Sequence, residues 1–225
     1  MKKILFFCAA LAAVFADLPL GRLSGSCETP GDFTPAQKKA ILFAFHYGNE
    51  QDLGYMMAAI AWQESCAGKY MLNFSDPSAG LFHAHLPVVI AQYSKLKDSA
   101  FNRNMVGQIL IQDQDFAAKV ALDQLLMWRK RFGGNQEKML KSYNKGTSWL
   151  KNQEKNQKAE LYAKKVSQKI ALLKAFIPIF LIEEEPLEWQ EQSKSSDFFL
   201  ENQNSTLPDK INTQKKKQDF YFLSE

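Results

Sequence analysis

Cysteine and histidine are scarce, three of each in 225 residues. No Cys-x-x-Cys pair and no Cys/His spacing typical of a structural metal site occurs. His83-Ala84-His85 brings two imidazoles together without a third ligand at a workable spacing, so the pair reads as surface or cleft histidines and no metal is expected. Long apolar runs are also lacking. Ile4 to Phe15 is only about a dozen residues, too short for a comfortable permanent bilayer span. Ala171 to Ile182 is shorter than a span and is interrupted by Pro178. No period-2 alternation of useful length occurs, which argues against a β-rich fold. There is no internal repeat, no Ser/His/Asp order and no dinucleotide fingerprint, and Gly133-Gly134 reads as a turn without phosphate-loop context. No organic cofactor is implied, and no nucleic-acid motif accompanies the net charge of +4.

What is present begins with a composition of 46% hydrophobic and 23% charged residues, a normal globular balance. Lys2 and Lys3, the apolar run after them and Val14-Phe15-Ala16 have the layout of a secretory signal peptide over residues 1–16, cut after Ala16. An uncleaved anchor is the alternative. Cys8 is no lipidation site on this reading, because bulky Phe7 stands where a small residue is needed. A periplasmic or secreted location follows, in an oxidising compartment. The exported chain keeps Cys27 and Cys66, an even pair that suggests a disulfide, with two unpaired buried thiols as the alternative.

Charge is uneven. From Glu183 to Glu225 ten acidic residues stand against five lysines, a net of −5, while residues 17–182 carry about +7. The basic part suits an anionic envelope, though a solvated basic surface is the default reading. Residues 17–32 read as an extended lead-in. Thr34-Pro35-Ala36-Gln37 reads as a helix start, with Thr34 as cap and Gln37 closing a capping box. A second helix is expected from about Leu53 to about Ser65, where Met56, Met57, Ile60 and Ala61 recur at helical spacing. Turn formers crowd Asn73 to Gly80. Further helices are expected over about 87–97, 103–111, 114–131 and 136–143, and a long polar helix from about Gln153 to Phe176. The apolar patch up to Ile182 is expected to dock on the domain. From 183 to 225 the composition predicts a mostly disordered tail, with Phe220-Tyr221-Phe222-Leu223 as a weak docking motif. The fold class is therefore mainly α over 33–182, with at most a small β element near 72–83.

Glu64 is the candidate for chemistry. It follows Met56 to Gln63, an apolar helical stretch with few charges, near the helix C-terminus. Desolvation and the negative end of the helix dipole both favour a protonated carboxyl there. Such a group can protonate a departing oxygen. After Glu64-Ser65 come Ser78-Ala79-Gly80-Leu81-Phe82-His83, then Ser142-Tyr143-Asn144-Lys145-Gly146, then Tyr162 and Lys165-Val166. Over about residues 33 to 170 this series resembles the lytic transglycosylases of the soluble, lysozyme-like family. Their motifs are a Glu-Ser pair, a Gly-Leu-Met-Gln-like segment, an Ala-Tyr-Asn-x-Gly segment and a late Tyr near Lys-Val.

The resemblance implies a lysozyme-like helical domain whose single acid/base is Glu64. It implies that Ser65 orients the sugar or the Glu, and that Gly80, Leu81 and Phe82 line the cleft. It further implies that Tyr143 and Asn144 position the Glu and contact the amide-bearing sugar, and that Tyr162 closes the pocket around the Glu. His83 departs from the usual Gln, Phe82 from Met, Ser142 from Ala, and Lys145 is larger than the usual residue. The implied partner is peptidoglycan. The implied reaction breaks the β-1,4 bond between N-acetylmuramic acid and N-acetylglucosamine, and attack by the muramoyl 6-hydroxyl on C1 leaves a 1,6-anhydromuramoyl end. Most glycosidases need two carboxylates. Asp76, twelve residues after Glu64, could serve a hydrolase, although an Asp before Pro77 is more often a turn former. A non-enzymatic glycan-binding envelope protein is the rival from another class. The compact size resembles members that open the wall locally for secretion or appendage assembly, with the tail recruiting a partner complex.

Overall fold

The computed structural model describes Cys27 and residues 29–200 apart from Phe74, with side chains as far as Glu183. The expected signal peptide over 1–16, most of the lead-in and the chain beyond Leu200, with its closing apolar cluster, lie outside the described residues. By internal contacts the chain divides into two units, Met1–Ile182 and Glu183–Glu225. The described residues form a mainly helical fold with seven α-helices and one small sheet.

The lead-in is not extended throughout, since Pro30–Asp32 makes one 3-10 turn. Helix α1 (Pro35–Asn49) starts on the expected capping box: Thr34 accepts from the Gln37 N–H at 3.3 Å and Gln37 accepts from the Thr34 N–H at 3.1 Å. Helix α2 (Gly54–Ser65) is buried over most of its surface, with Met57, Ala58, Ala59, Ile60 and Ala61 fully shielded and Tyr55, Gln63 and Glu64 partly exposed. Helices apolar all round belong in a core. Three strands of two residues each follow: β1 (Leu72–Asn73), β2 (Ser78–Ala79) and β3 (Ala84–His85), paired antiparallel in that order. Leu72 faces Ala79, and Ala79 faces Ala84.

Helix α3 (Leu86–Tyr93) is shorter than expected, because the Ser94 hydroxyl bonds the Ile90 carbonyl and ends it. Helices α4 (Ala100–Gln112), α5 (Gln114–Phe132) and α6 (Gln136–Lys145) start on Ser99, Asp113 and Asn135, whose side chains accept from backbone N–H groups. A 3-10 turn at Ser148–Leu150 leads to α7 (Gln153–Leu200).

Helix α7 runs further than expected. Ala159, Tyr162, Val166, Ile170, Leu173, Ile177 and Phe180 form one buried stripe at helical spacing. Pro178 removes a backbone donor, but buried Ile177 and Phe180 hold the helix in the core on either side of it. This is the docking expected of the apolar patch. The backbone of 183–200 continues the helix to Leu200. No described helix is long and apolar enough to cross a membrane.

Two positions carry testable consequences. Gly80 has φ of +84°, and a Cβ added there would sit 2.6 Å from the Leu110 carbonyl oxygen. Gly80→Ala is expected to destabilise by about 3 kcal/mol, measured by denaturant unfolding. Lys169 lies with its amine 3.9 Å from the Trp62 ring centroid. Burial, with a smaller push from Lys165, pulls its pKa down to about 8. An unfolded-chain lysine holds its proton to about 10.4, so between these values the unfolded chain binds more protons. Stability should therefore rise as pH climbs from about 8 towards 10. Lys169→Met should flatten that slope, read from denaturant midpoints at the two pH values.

Candidate active site

Glu64 stands one residue from the end of α2. Beyond it the chain turns sharply, with Cys66 and Ala67 both left-handed at φ of 53° and 55° and Gly68 at 86°. Two successive non-glycine residues in that region are held only where surroundings over-determine them. Here they are over-determined. The Ser65 hydroxyl donates to the Ala61 carbonyl at 3.0 Å and accepts from the Gly68 N–H at 2.9 Å. The Ser65 carbonyl accepts from the Tyr70 N–H at 2.8 Å. The Gln37 amide donates to the Cys66 carbonyl at 3.0 Å. Cys66 is disulfide-bonded to Cys27 across a separation of 39 residues. Ser65 is fully buried and faces the backbone. It therefore shapes the turn behind Glu64 and does not line the cleft.

The Glu64 side chain is 18% exposed and meets two neighbours from distant parts of the chain. Tyr162 of α7 donates to Oε1 at 2.6 Å. His83, 8% exposed, places Nδ1 3.6 Å from Oε2. Its Nε2 lies 2.8 Å from the Tyr70 carbonyl oxygen. Tyr143 of α6 donates to the Phe82 carbonyl at 3.0 Å, tying α6 to the segment between β2 and β3. Burial, reinforced by the Glu64 charge, pushes both phenols well above the ordinary tyrosine range. Tyr143 and Tyr162 are therefore neutral donors wherever the protein is folded.

A cleft of about 780 Å³ opens beside Glu64. One wall holds Asn73, Asp76, Ser78, His83 and His85 around the small sheet. The other holds Gln124, Met127 and Trp128 of α5 and Tyr143, Asn144 and Lys145 at the end of α6. The Asn144 side chain makes no hydrogen bond among the described residues and lines the cleft, where its amide can meet a ligand. Asp76 lies 3.7 Å from His85, both substantially exposed.

The structure thus brings Glu64, His83, Tyr143 and Asn144 onto one cleft, with Tyr162 buried behind the carboxyl. It does not bring Gly80, Leu81 and Phe82 there as lining. Leu81 and Phe82 are fully buried core side chains. Gly80 supplies a turn against Leu110, and Phe82 contributes only its carbonyl. Trp62 and Trp149 are packed, the first edge-on against Phe33 and the second donating to Ser142 at 2.8 Å. Ser142 is thereby a support for Tyr143 and Asn144 that residue type alone did not reveal. Trp128 reaches the cleft while stacked on Phe132. No group of three or more His, Cys, Asp or Glu able to hold a metal occurs among the described residues.

Comparison with protein-family models, curated proteins and solved structures finds no match. The functional reading rests on this geometry and on the motif order.

Chemically, the arrangement offers the Glu64 carboxyl at the edge of an open groove, held at Oε1 by a neutral phenol, with Asp76 as a second carboxyl on the lining. Around it are neutral hydrogen-bonding groups, Asn144, Ser78 and Asn73. A carboxyl so placed can exchange a proton with a ligand lying in the groove.

Proposed function

We propose that this chain is an exported peptidoglycan lytic transglycosylase built on a lysozyme-like domain, with Glu64 as its acid and base. The observation that carries the reading is the meeting of four sequence-distant motif elements around one carboxyl: Glu64 itself, His83, the Tyr143-Asn144 pair and Tyr162. Glu64 protonates the oxygen bridging N-acetylmuramic acid and N-acetylglucosamine. That oxygen leaves with the bonding electrons, and the oxocarbenium-like centre at C1 is stabilised by the sugar's own acetamido group. The carboxylate then takes the proton of the muramoyl 6-hydroxyl, whose oxygen closes on C1. Tyr143 and Asn144 hold the acetamido-bearing sugar without placing a full charge beside Glu64. Tyr162 fixes the carboxyl plane through Oε1. The acidic chain from 183 onward is assigned to recruiting an envelope assembly complex.

A second reading is supported by Asp76, a carboxylate on the same cleft as Glu64. If it activates water the enzyme is a hydrolase of the same bond and the products carry reducing ends. Release of soluble fragments from purified sacculi tests both enzymatic readings against a glycan-binding protein, for which sacculi bind but stay intact. Tyr162→Phe is expected to lower kcat about 10- to 100-fold with KM nearly unchanged, read from the same release assay, because the lost bond orients the acid.

A further inference from the structure

His83 is the most constrained residue near Glu64. Its φ is 45°, in the left-handed region that favours glycine. Its side chain is 8% exposed and touches both the cleft and the carboxyl. A carbonyl oxygen can only accept, so the 2.8 Å contact between Nε2 and the Tyr70 carbonyl requires the ring proton on Nε2. In the neutral imidazole Nδ1 is then a bare lone pair, and it is aimed at Oε2 of Glu64 at 3.6 Å.

The carboxyl is fixed in the complementary sense. Oε1 accepts the Tyr162 hydroxyl at 2.6 Å, which makes it the carbonyl-like oxygen of the protonated acid. The acid proton is thereby assigned to Oε2. Two independent contacts, one on each partner, thus set Oε2 and Nδ1 facing each other.

We propose that His83 is a positioning residue that holds the Glu64 carboxyl with Oε2 as its proton-delivering oxygen at the cleft face. The inference rests on the transglycosylase reading above. When the substrate enters, Oε2 passes the acid proton to the bridging oxygen as its bond to C1 breaks. The 6-hydroxyl returns one proton to Oε2, which restores the acid. The ring keeps its Nε2 proton on Tyr70 throughout.

The test uses the mature protein on purified sacculi. His83→Gly suits the positive φ and should keep the fold. Its kcat is expected to fall at least about 10-fold with KM within about 3-fold, and added imidazole is expected to restore most of the loss. An unchanged kcat, or a folded variant that imidazole does not restore, overturns the proposal. Nitrogen-15 NMR of the wild type gives a reading independent of turnover. The neutral His83 ring should carry its proton on Nε2 in wild type, and Nδ1 should change its hydrogen-bond signature in Glu64→Gln. A proton on Nδ1, or a ring indifferent to Glu64→Gln, overturns it even if His83→Gly fails to fold. If the wild type releases nothing from sacculi, the transglycosylase reading fails, while the NMR result still judges the His83–Glu64 pair.

Discussion

Glu64→Gln is expected to reduce kcat on purified sacculi by about 10³-fold or more, with retained binding and an unchanged unfolding midpoint. The size follows from the site having one acid at its centre. A glutamine keeps the shape and an oxygen able to accept from Tyr162, so the 2.6 Å contact has a substitute. It has no proton to give to a leaving oxygen and no negative charge with which to take one back. Both halves of the reaction fail together, which separates this change from loss of a binding contact. A binding-only protein would lose nothing. The comparison requires initial rates of soluble-fragment release and a sedimentation assay with sacculi on the same preparations.

Replacing Cys27 and Cys66 together with serine should lower the stability of the folded domain by about 4 kcal/mol, the chain-entropy value for a loop of this size. The disulfide closes a separation of 39 residues. It also pins the left-handed turn that follows Glu64, where Cys66 itself has φ of 53°. Activity should therefore fall ahead of global unfolding when the protein is warmed, because the strained turn relaxes first and the carboxyl loses its place beside Tyr162. Thermal denaturation followed in parallel with sacculus digestion checks both parts. Coincident loss of activity and fold in the variant would leave the disulfide a purely global restraint.

Much of this architecture was legible in the residues. Thr34 and Gln37 mark the start of α1 because their chemistry satisfies backbone donors locally, and no distant contact is needed to read it. The bounds of α5 and α6 follow from Asp113, Asn135 and the glycines after them, again local chemistry. Pairing Cys27 with Cys66 needed only the inference of export and an even count. The motif order placed Glu64, His83, Tyr143, Asn144 and Tyr162 in one site. Order carries proximity well.

Side-chain direction was not legible. Leu81 and Phe82 sit in a segment that borders the cleft, yet both point into the core. Only the tight turn from Gly80 to His83, whose N–H bonds the Gly80 carbonyl at 3.2 Å, decides which way they face. Ser65 is buried for a related reason: the left-handed turn after it directs its hydroxyl back to Ala61 and Gly68. The α5 wall of Gln124, Met127 and Trp128 has no motif, because an amphipathic helix looks the same whether its half-exposed edge meets solvent or a groove. The length of α7 was missed because Pro178 is a strong local stop signal, and the burial of Ile177 and Phe180 that outweighs it is a tertiary effect.

The most direct measurement is mass analysis of the soluble products when purified sacculi are digested by the wild-type protein and by Glu64→Gln. The account predicts disaccharide-peptide fragments from the wild type that end in 1,6-anhydromuramic acid, each lighter by one water than a hydrolysis product, and none from the variant. Fragments with reducing ends, or equal release by the variant, would contradict it.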